Sequence, residues 1–163
     1  MKSAVFAGTF DPVTKGHESV IKKASSLFDE LTVAICINPD KKTLFSVETR
    51  LEMLKSVCSN YKNVKVCYHE GLLVDLMKKI GATYNVRGVR NATDYEYENE
   101  MHYYNEKLYK DIVTLYIPCS KELKDVSSTA VKKDINSGNF DEMHLSPSVI
   151  EIIKKQGKKK SKV

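Results

Sequence analysis

Five short runs rich in apolar and β-branched residues, Ala4–Ala7, Leu31–Ile37, Val64–Tyr68, Thr83–Val86 and Ile112–Ile117, are separated by stretches with helical spacing. Val20, Ile21, Ala24, Leu27 and Phe28 mark the first helical face, and Val47, Leu51, Leu54 and Val57, behind a capping Ser46, mark the second. Leu72 to Ile80, closed by Gly81, is a third. A polar helix dense in tyrosine and glutamate runs from about Ala92 to Leu108. Another opens at Ser127 or Ser128 and runs through Ile135, with Gly138 just past its end, and Ser146-Pro147 starts the last. Leu31–Ile37 is almost unbroken in β-forming residues, as expected of a strand covered on both faces. Strands alternating with helices at this pitch predict an α/β fold, a single-domain, doubly wound, parallel five-stranded sheet. Right-handed crossovers then collect the strand-to-helix loops on the carboxyl edge: Gly8–His17, Lys41, Leu73, Arg87–Arg90 and Ser127–Thr129.

The chain has 163 residues, enough for one domain with a sizeable core, and shows no internal repeat or linker. Its formal charge of +5 suggests an acidic partner until the lysines are located. Six of the 26 basic residues, Lys154, Lys155, Lys158, Lys159, Lys160 and Lys162, fall in the last ten positions. They leave 20 basic against 21 acidic residues in the body, a net of −1. The domain is therefore expected over 1–157, with 158–163 a disordered lysine-rich tail and no nucleic-acid partner. No apolar run approaches the roughly 20 residues that span a bilayer, and Lys2 leads straight into a strand without a cleavable signal pattern. Cys36, Cys58, Cys67 and Cys119 are scattered, with no Cys-x-x-Cys, which fits reduced thiols in a cytoplasmic protein better than a disulfide framework or a zinc site.

Gly8-Thr9-Phe10-Asp11-Pro12-Val13-Thr14-Lys15-Gly16-His17 joins the first strand to the first helix. With Thr14 as N-cap, His17 falls in the first turn, where unpaired N–H groups and the positive end of the helix dipole gather. This is either a phosphate site or an ordinary strand-to-helix turn with a surface histidine. Asp11 is expected to tie its own turn through an Asx-type bond. Neither Gly-x-Gly-x-x-Gly nor Gly-x-x-x-x-Gly-Lys-Ser/Thr occurs, so a nucleotide site here is neither a dinucleotide fingerprint nor a P-loop.

Gly8–Pro12, Thr14-Lys15-Gly16-His17 and Val126-Ser127-Ser128-Thr129-Ala130-Val131-Lys132 together resemble the nucleotidylyltransferase superfamily. Its members carry a (T/H)xGH motif after the first strand and an ISSTxxR-like motif opening a late helix. Val86-Arg87-Gly88-Val89-Arg90, followed by Asp94-Tyr95-Glu96-Tyr97-Glu98, is similar to the signature of the bacterial phosphopantetheine adenylyltransferases. The likeness covers Lys2 to about Ile153. It implies a Rossmann-like nucleotidylyltransferase fold and an enzyme of coenzyme A biosynthesis. Such an enzyme passes the adenylyl group of ATP to 4'-phosphopantetheine by direct in-line attack, giving dephospho-coenzyme A and pyrophosphate. Mg2+ would travel with ATP, no metal being held by the protein, and the assembly would be a homohexamer with subunit contacts from the tyrosines of 94–107.

The resemblance also implies roles. His17 is the transition-state stabiliser, and Thr9 and Phe10 touch the phosphates. Lys41 (with Lys42 beside it), Leu73 and Arg87 meet the phosphopantetheine. Gly88, Val89, Arg90, Glu98, Leu123, Lys124, Asp125, Val126, Ser127, Ser128 and Thr129 line the ATP side. Two departures stand out: Leu123-Lys124-Asp125 lies where many relatives have an aromatic near the adenine, and Lys15 replaces an asparagine, adding a charge near the phosphates. Within the superfamily the rivals are a nicotinate mononucleotide adenylyltransferase and a cytidylyltransferase. The Arg87–Arg90 and Asp94–Glu98 segments separate them.

Overall fold

The computed structural model describes residues 1–37 and 39–160. In chain order the elements are β1 (Ser3–Gly8), α1 (Lys15–Leu27), β2 (Glu30–Ile37), α2 (Val47–Cys58), β3 (Val64–Glu70), α3 (Leu73–Ile80), β4 (Tyr84–Val89), α4 (Ala92–Leu108), β5 (Val113–Pro118), α5 (Ser128–Asn136) and α6 (Pro147–Lys160). A single 3-10 turn, Lys121–Leu123, precedes α5. All strand pairs are parallel, in the order β3-β2-β1-β4-β5.

Side chains alternate across β1 and so divide the interior in two. Ala4 and Phe6 join Val20, Ile21, Met53, Leu54, Val131 and Val149 beneath α1, α2, α5 and α6. Val5 and Ala7 meet Val74, Leu76 and Met77 of α3 on the opposite face. The doubly wound expectation is met. Leu31, Val33, Ala34 and Ile35 are fully buried, as a strand covered on both faces requires, whereas β3 at the edge is half-exposed. α4 lies over β4 and β5 on the α3 side, but Asn105 is its only buried residue. It is held by polar bonds, among them His102 Nδ1 with Thr114 Oγ1 at 2.9 Å.

Caps at Ser46, Ser127 and Gly81 follow the sequence signals: the two serines accept from Thr49 N and Ala130 N, and Gly81 ends α3 in the left-handed region, φ 70°. Asn91 caps α4 by accepting from Asp94 N. The strands shift by a residue or two at their ends, and β4 differs most from its expected run. β4 was expected to stop at Val86, yet Arg87, Gly88 and Val89 stay in register with Tyr116, Ile117 and Pro118, because β5 continues alongside. Gly88 is needed there: a Cβ would lie 2.9 Å from Val20 Cγ2 of α1. Of the expected tail, Lys158–Lys160 close α6 and residues 161–163 lie outside the described residues. Among the described residues no helix is long and apolar enough to cross a membrane.

Candidate active site

Strand order reverses beside β1, so the loops leaving β1 and β4 diverge and open a crevice at their carboxyl ends. The cleft there measures about 1010 Å³, at the upper end of ordinary ligand sites and roomy enough for two substrates.

The β1–α1 turn is held from below. Phe10 has φ 47°, unusual for a non-glycine residue, and its ring is fully buried, edge-on to Phe6 at 5.3 Å and to His17 at 5.0 Å. Asp11, 1% exposed, does not make the expected local turn bond. Its carboxylate accepts Leu44 N at 2.7 Å and Phe45 N at 2.9 Å, and pairs with Lys132 Nζ at 2.8 Å. Thus one buried charge gathers the β1–α1 turn, the loop before α2 and the first turns of α5. A carboxylate so deep needs that many donors. Arg50, also buried, completes the brace by donating to Thr9 O at 2.9 Å and Phe45 O at 3.1 Å.

His17 stands third in α1 and does the work of the Glu or Gln of a capping box. Its Nδ1 accepts the Thr14 N–H at 3.0 Å, so in the neutral ring the proton sits on Nε2. Burial, with Arg90 and Arg87 nearby, pushes the His17 pKa down to about 4. At neutral pH the ring is therefore an uncharged N–H donor on the cleft wall.

Thr9, Phe10, His17, Lys41, Leu73, Arg87, Gly88, Arg90, Glu98, Leu123, Val126, Ser127, Ser128 and Thr129 all line this cleft. Lys41 Nζ reaches Thr9 Oγ1 at 3.4 Å. Ser127 caps α5, and Ser128 Oγ donates to Pro12 O at 3.1 Å, which docks the helix start against the β1–α1 turn. Val89, Lys124 and Asp125 are not among the lining residues: the Val89 carbonyl is taken by Cys119 N, and Lys124 and Asp125 face solvent beyond the 3-10 turn. Lys15 turns away too, donating to Glu142 O at 2.5 Å and so tying α1 to the loop before α6 rather than charging the cleft.

Arg87 and Glu98, expected against different substrates, form a two-pronged ion pair at 2.6 Å. Arg90 and Asp94 form another. No role was expected of Lys132, Arg50 or Asp94, although Asp94 opens the Asp94–Glu98 signature. Lys132 had a signal, as the basic residue ending the Val126–Lys132 motif. Arg50 had none, being a lone cation beside the apolar stripe of α2.

A family model described as cytidylyltransferase-like matches residues 5–134. The chain is 49% identical over 133 residues to the phosphopantetheine adenylyltransferase of Chromobacterium violaceum, covering 81% of each. It is 41% identical over 156 residues to that of Clostridium botulinum strain 657, covering 96% of this chain and 95% of the relative. Among solved structures, a putative nicotinate-nucleotide adenylyltransferase from Vibrio parahaemolyticus superposes with TM-score 0.74 at 21% identity, over 96% of this chain and 94% of that one. The nicotinic acid mononucleotide adenylyltransferase of Plasmodium falciparum gives 0.71, also at 21% identity, over 96% of each chain; both likenesses speak for the fold. The chain belongs to the cytidylyltransferase-like family and, within it, to the phosphopantetheine adenylyltransferases.

Proposed function

We propose that the chain transfers the adenylyl group of ATP reversibly to 4'-phosphopantetheine, yielding dephospho-coenzyme A and pyrophosphate. The observation that carries this reading is the convergence of His17, Lys41, Arg87, Arg90, Lys132 and the α5 start on one cleft. Two polyanions need such a surround. The attacking phosphate oxygen is already ionised at neutral pH, so no side chain has to remove a proton. Rate enhancement comes from in-line alignment and from donors that meet charge as it develops.

His17 Nε2–H donates to the phosphate oxygens of the pentacoordinate centre. An uncharged imidazole suits this: it offers an N–H without handing a proton to the leaving pyrophosphate, and its basic nitrogen is already held by the Thr14 N–H. Lys41 and Arg87 hold the acceptor phosphate, and Leu73 packs against its apolar arm. Arg90, Lys132 and the Ser127–Thr129 helix start receive the ATP phosphates, while Leu123 and Val126 border the adenine.

Among the described residues no group of three or more His, Cys, Asp or Glu side chains could hold a metal ion. Asp11, Asp94 and Glu98 are each engaged by a cation. These residues do not form a resident metal site, so Mg2+ is assigned to ATP as part of the substrate. Residues 1–157 act as the one catalytic domain, cytoplasmic and hexameric. Tyr95, Tyr97, Tyr103 and Tyr104, all about half-exposed on α4, are suited to subunit contacts. Light scattering showing a monomer at working concentration would remove the hexamer.

The test is a panel with pyrophosphate release as the readout. ATP or CTP is offered with 4'-phosphopantetheine, nicotinate mononucleotide or glycerol 3-phosphate. Release from ATP with 4'-phosphopantetheine alone is expected. A preference for another pair overturns the assignment.

A further inference from the structure

Three of the five Arg87 N–H donors go to neighbours within the protein. Nε and Nη2 donate to Glu98 Oε2 and Oε1, each at 2.6 Å, and Nη1 donates to Ala7 O at 2.6 Å. A carboxylate thus occupies the planar fork that a phosphate would use in the same bidentate way. Both side chains are shielded, 24% and 12% exposed, and both line the cleft. Glu98 sits one turn beyond Asp94 on α4, so the two carboxylates share a helix face opposite Arg87 and Arg90. The Arg90–Asp94 pair is the more open of the two and links residues only four apart.

A phosphomonoester carries close to two negative charges near neutral pH. Placed beside Glu98 in a shielded recess, it would face a like charge. An exchange of partners removes that conflict. We propose that the acceptor's phosphate displaces the Glu98 carboxylate from Arg87 and that Glu98, once released, turns to the nucleotide, so that this one carboxylate couples the two substrates. The inference rests on the functional reading above. No covalent bond changes: Arg87 trades one anion for another, and Glu98 becomes an acceptor for hydroxyl donors such as those of a ribose. The first substrate bears the cost of parting the pair, and the second finds it parted. The coupling is reciprocal, as linkage requires.

Titration calorimetry on the full chain tests this, with 4'-phosphopantetheine and an ATP analogue whose α–β bridging oxygen is a methylene, so that no transfer occurs. In the wild type each ligand should tighten the other about fivefold or more, within the usual range of coupling between sites. Pantetheine lacking the phosphate should produce no coupling. Glu98→Gln should bind 4'-phosphopantetheine about fivefold more tightly than the wild type and show little residual coupling. Unchanged or weaker acceptor binding by Glu98→Gln would mean that the carboxylate merely orients Arg87, and would overturn the exchange. So would absent coupling in the wild type, an arm that needs no variant, or equal coupling with pantetheine. If the wild type still releases pyrophosphate only with 4'-phosphopantetheine, such a result sinks the exchange alone. A wild type that neither binds this acceptor nor releases pyrophosphate with it removes the functional reading, and the exchange with it.

Discussion

His17 joins local structure to chemistry in a single ring. The helix cap takes its Nδ1, burial and two guanidiniums keep it uncharged, and Nε2–H is left for the substrate. Replacing it by alanine should lower turnover by about two to three decades, the size of losing one charge-stabilising donor, with far less effect on ATP affinity in calorimetry. Because the folded pKa of about 4 lies below the ordinary histidine value of 6.5, the unfolded chain binds the extra proton first. This residue's contribution to stability is thus complete above pH 6.5 and is lost as pH falls towards 4. Urea midpoints across that window should drop less steeply in His17→Gln than in the wild type. The histidine and its N-cap were legible, since Thr-x-Gly-His after a strand is a local pattern. Asp11 was not read correctly. Its partners Leu44, Phe45 and Lys132 are remote in sequence, and no local rule supplies them. Asp11→Ala leaves Lys132 and two amides unanswered and should destabilise the fold by about 3 kcal/mol by urea unfolding.

At the scale of elements, α1 and β4 approach so closely that only hydrogen fits at Gly88, with Val20 Cγ2 2.9 Å from where a Cβ would stand. Gly88→Ala should therefore cost about 1–3 kcal/mol, as overpacking does, and thermal unfolding would show it. A melting temperature equal to the wild type's would mean that Val20 yields freely. Apolar periodicity placed the interiors of the strands and helices well, because burial on a face is what periodicity records. It ended β4 early, because Arg87 is charged and Gly88 a poor strand former, while the force extending the strand is the ladder to Tyr116, Ile117 and Pro118. Nor could it indicate how α4 is held, since that helix buries Asn105 alone and relies on ion pairs and a histidine–threonine bond.

For the whole molecule, the order β3-β2-β1-β4-β5 puts the β1 and β4 loops back to back, and the remaining loops converge on them. That convergence was legible because parallel strands with right-handed crossovers admit one edge for all such loops. What the sequence could not convey is which partners the charged side chains find: Arg87 with Glu98, Asp11 with Lys132, Lys15 with a backbone carbonyl of the loop before α6. Pairing of that kind depends on distances between elements far apart in the chain. The central claim is a direct passage of the adenylyl group between two anions held face to face in this cleft. Incubation with ATP labelled at the α-phosphorus, followed by separation of protein from small molecules, tests it most directly. The label should move to dephospho-coenzyme A only when 4'-phosphopantetheine is present, with none on the protein; label bound covalently to the chain, or absent from that product, would contradict the account.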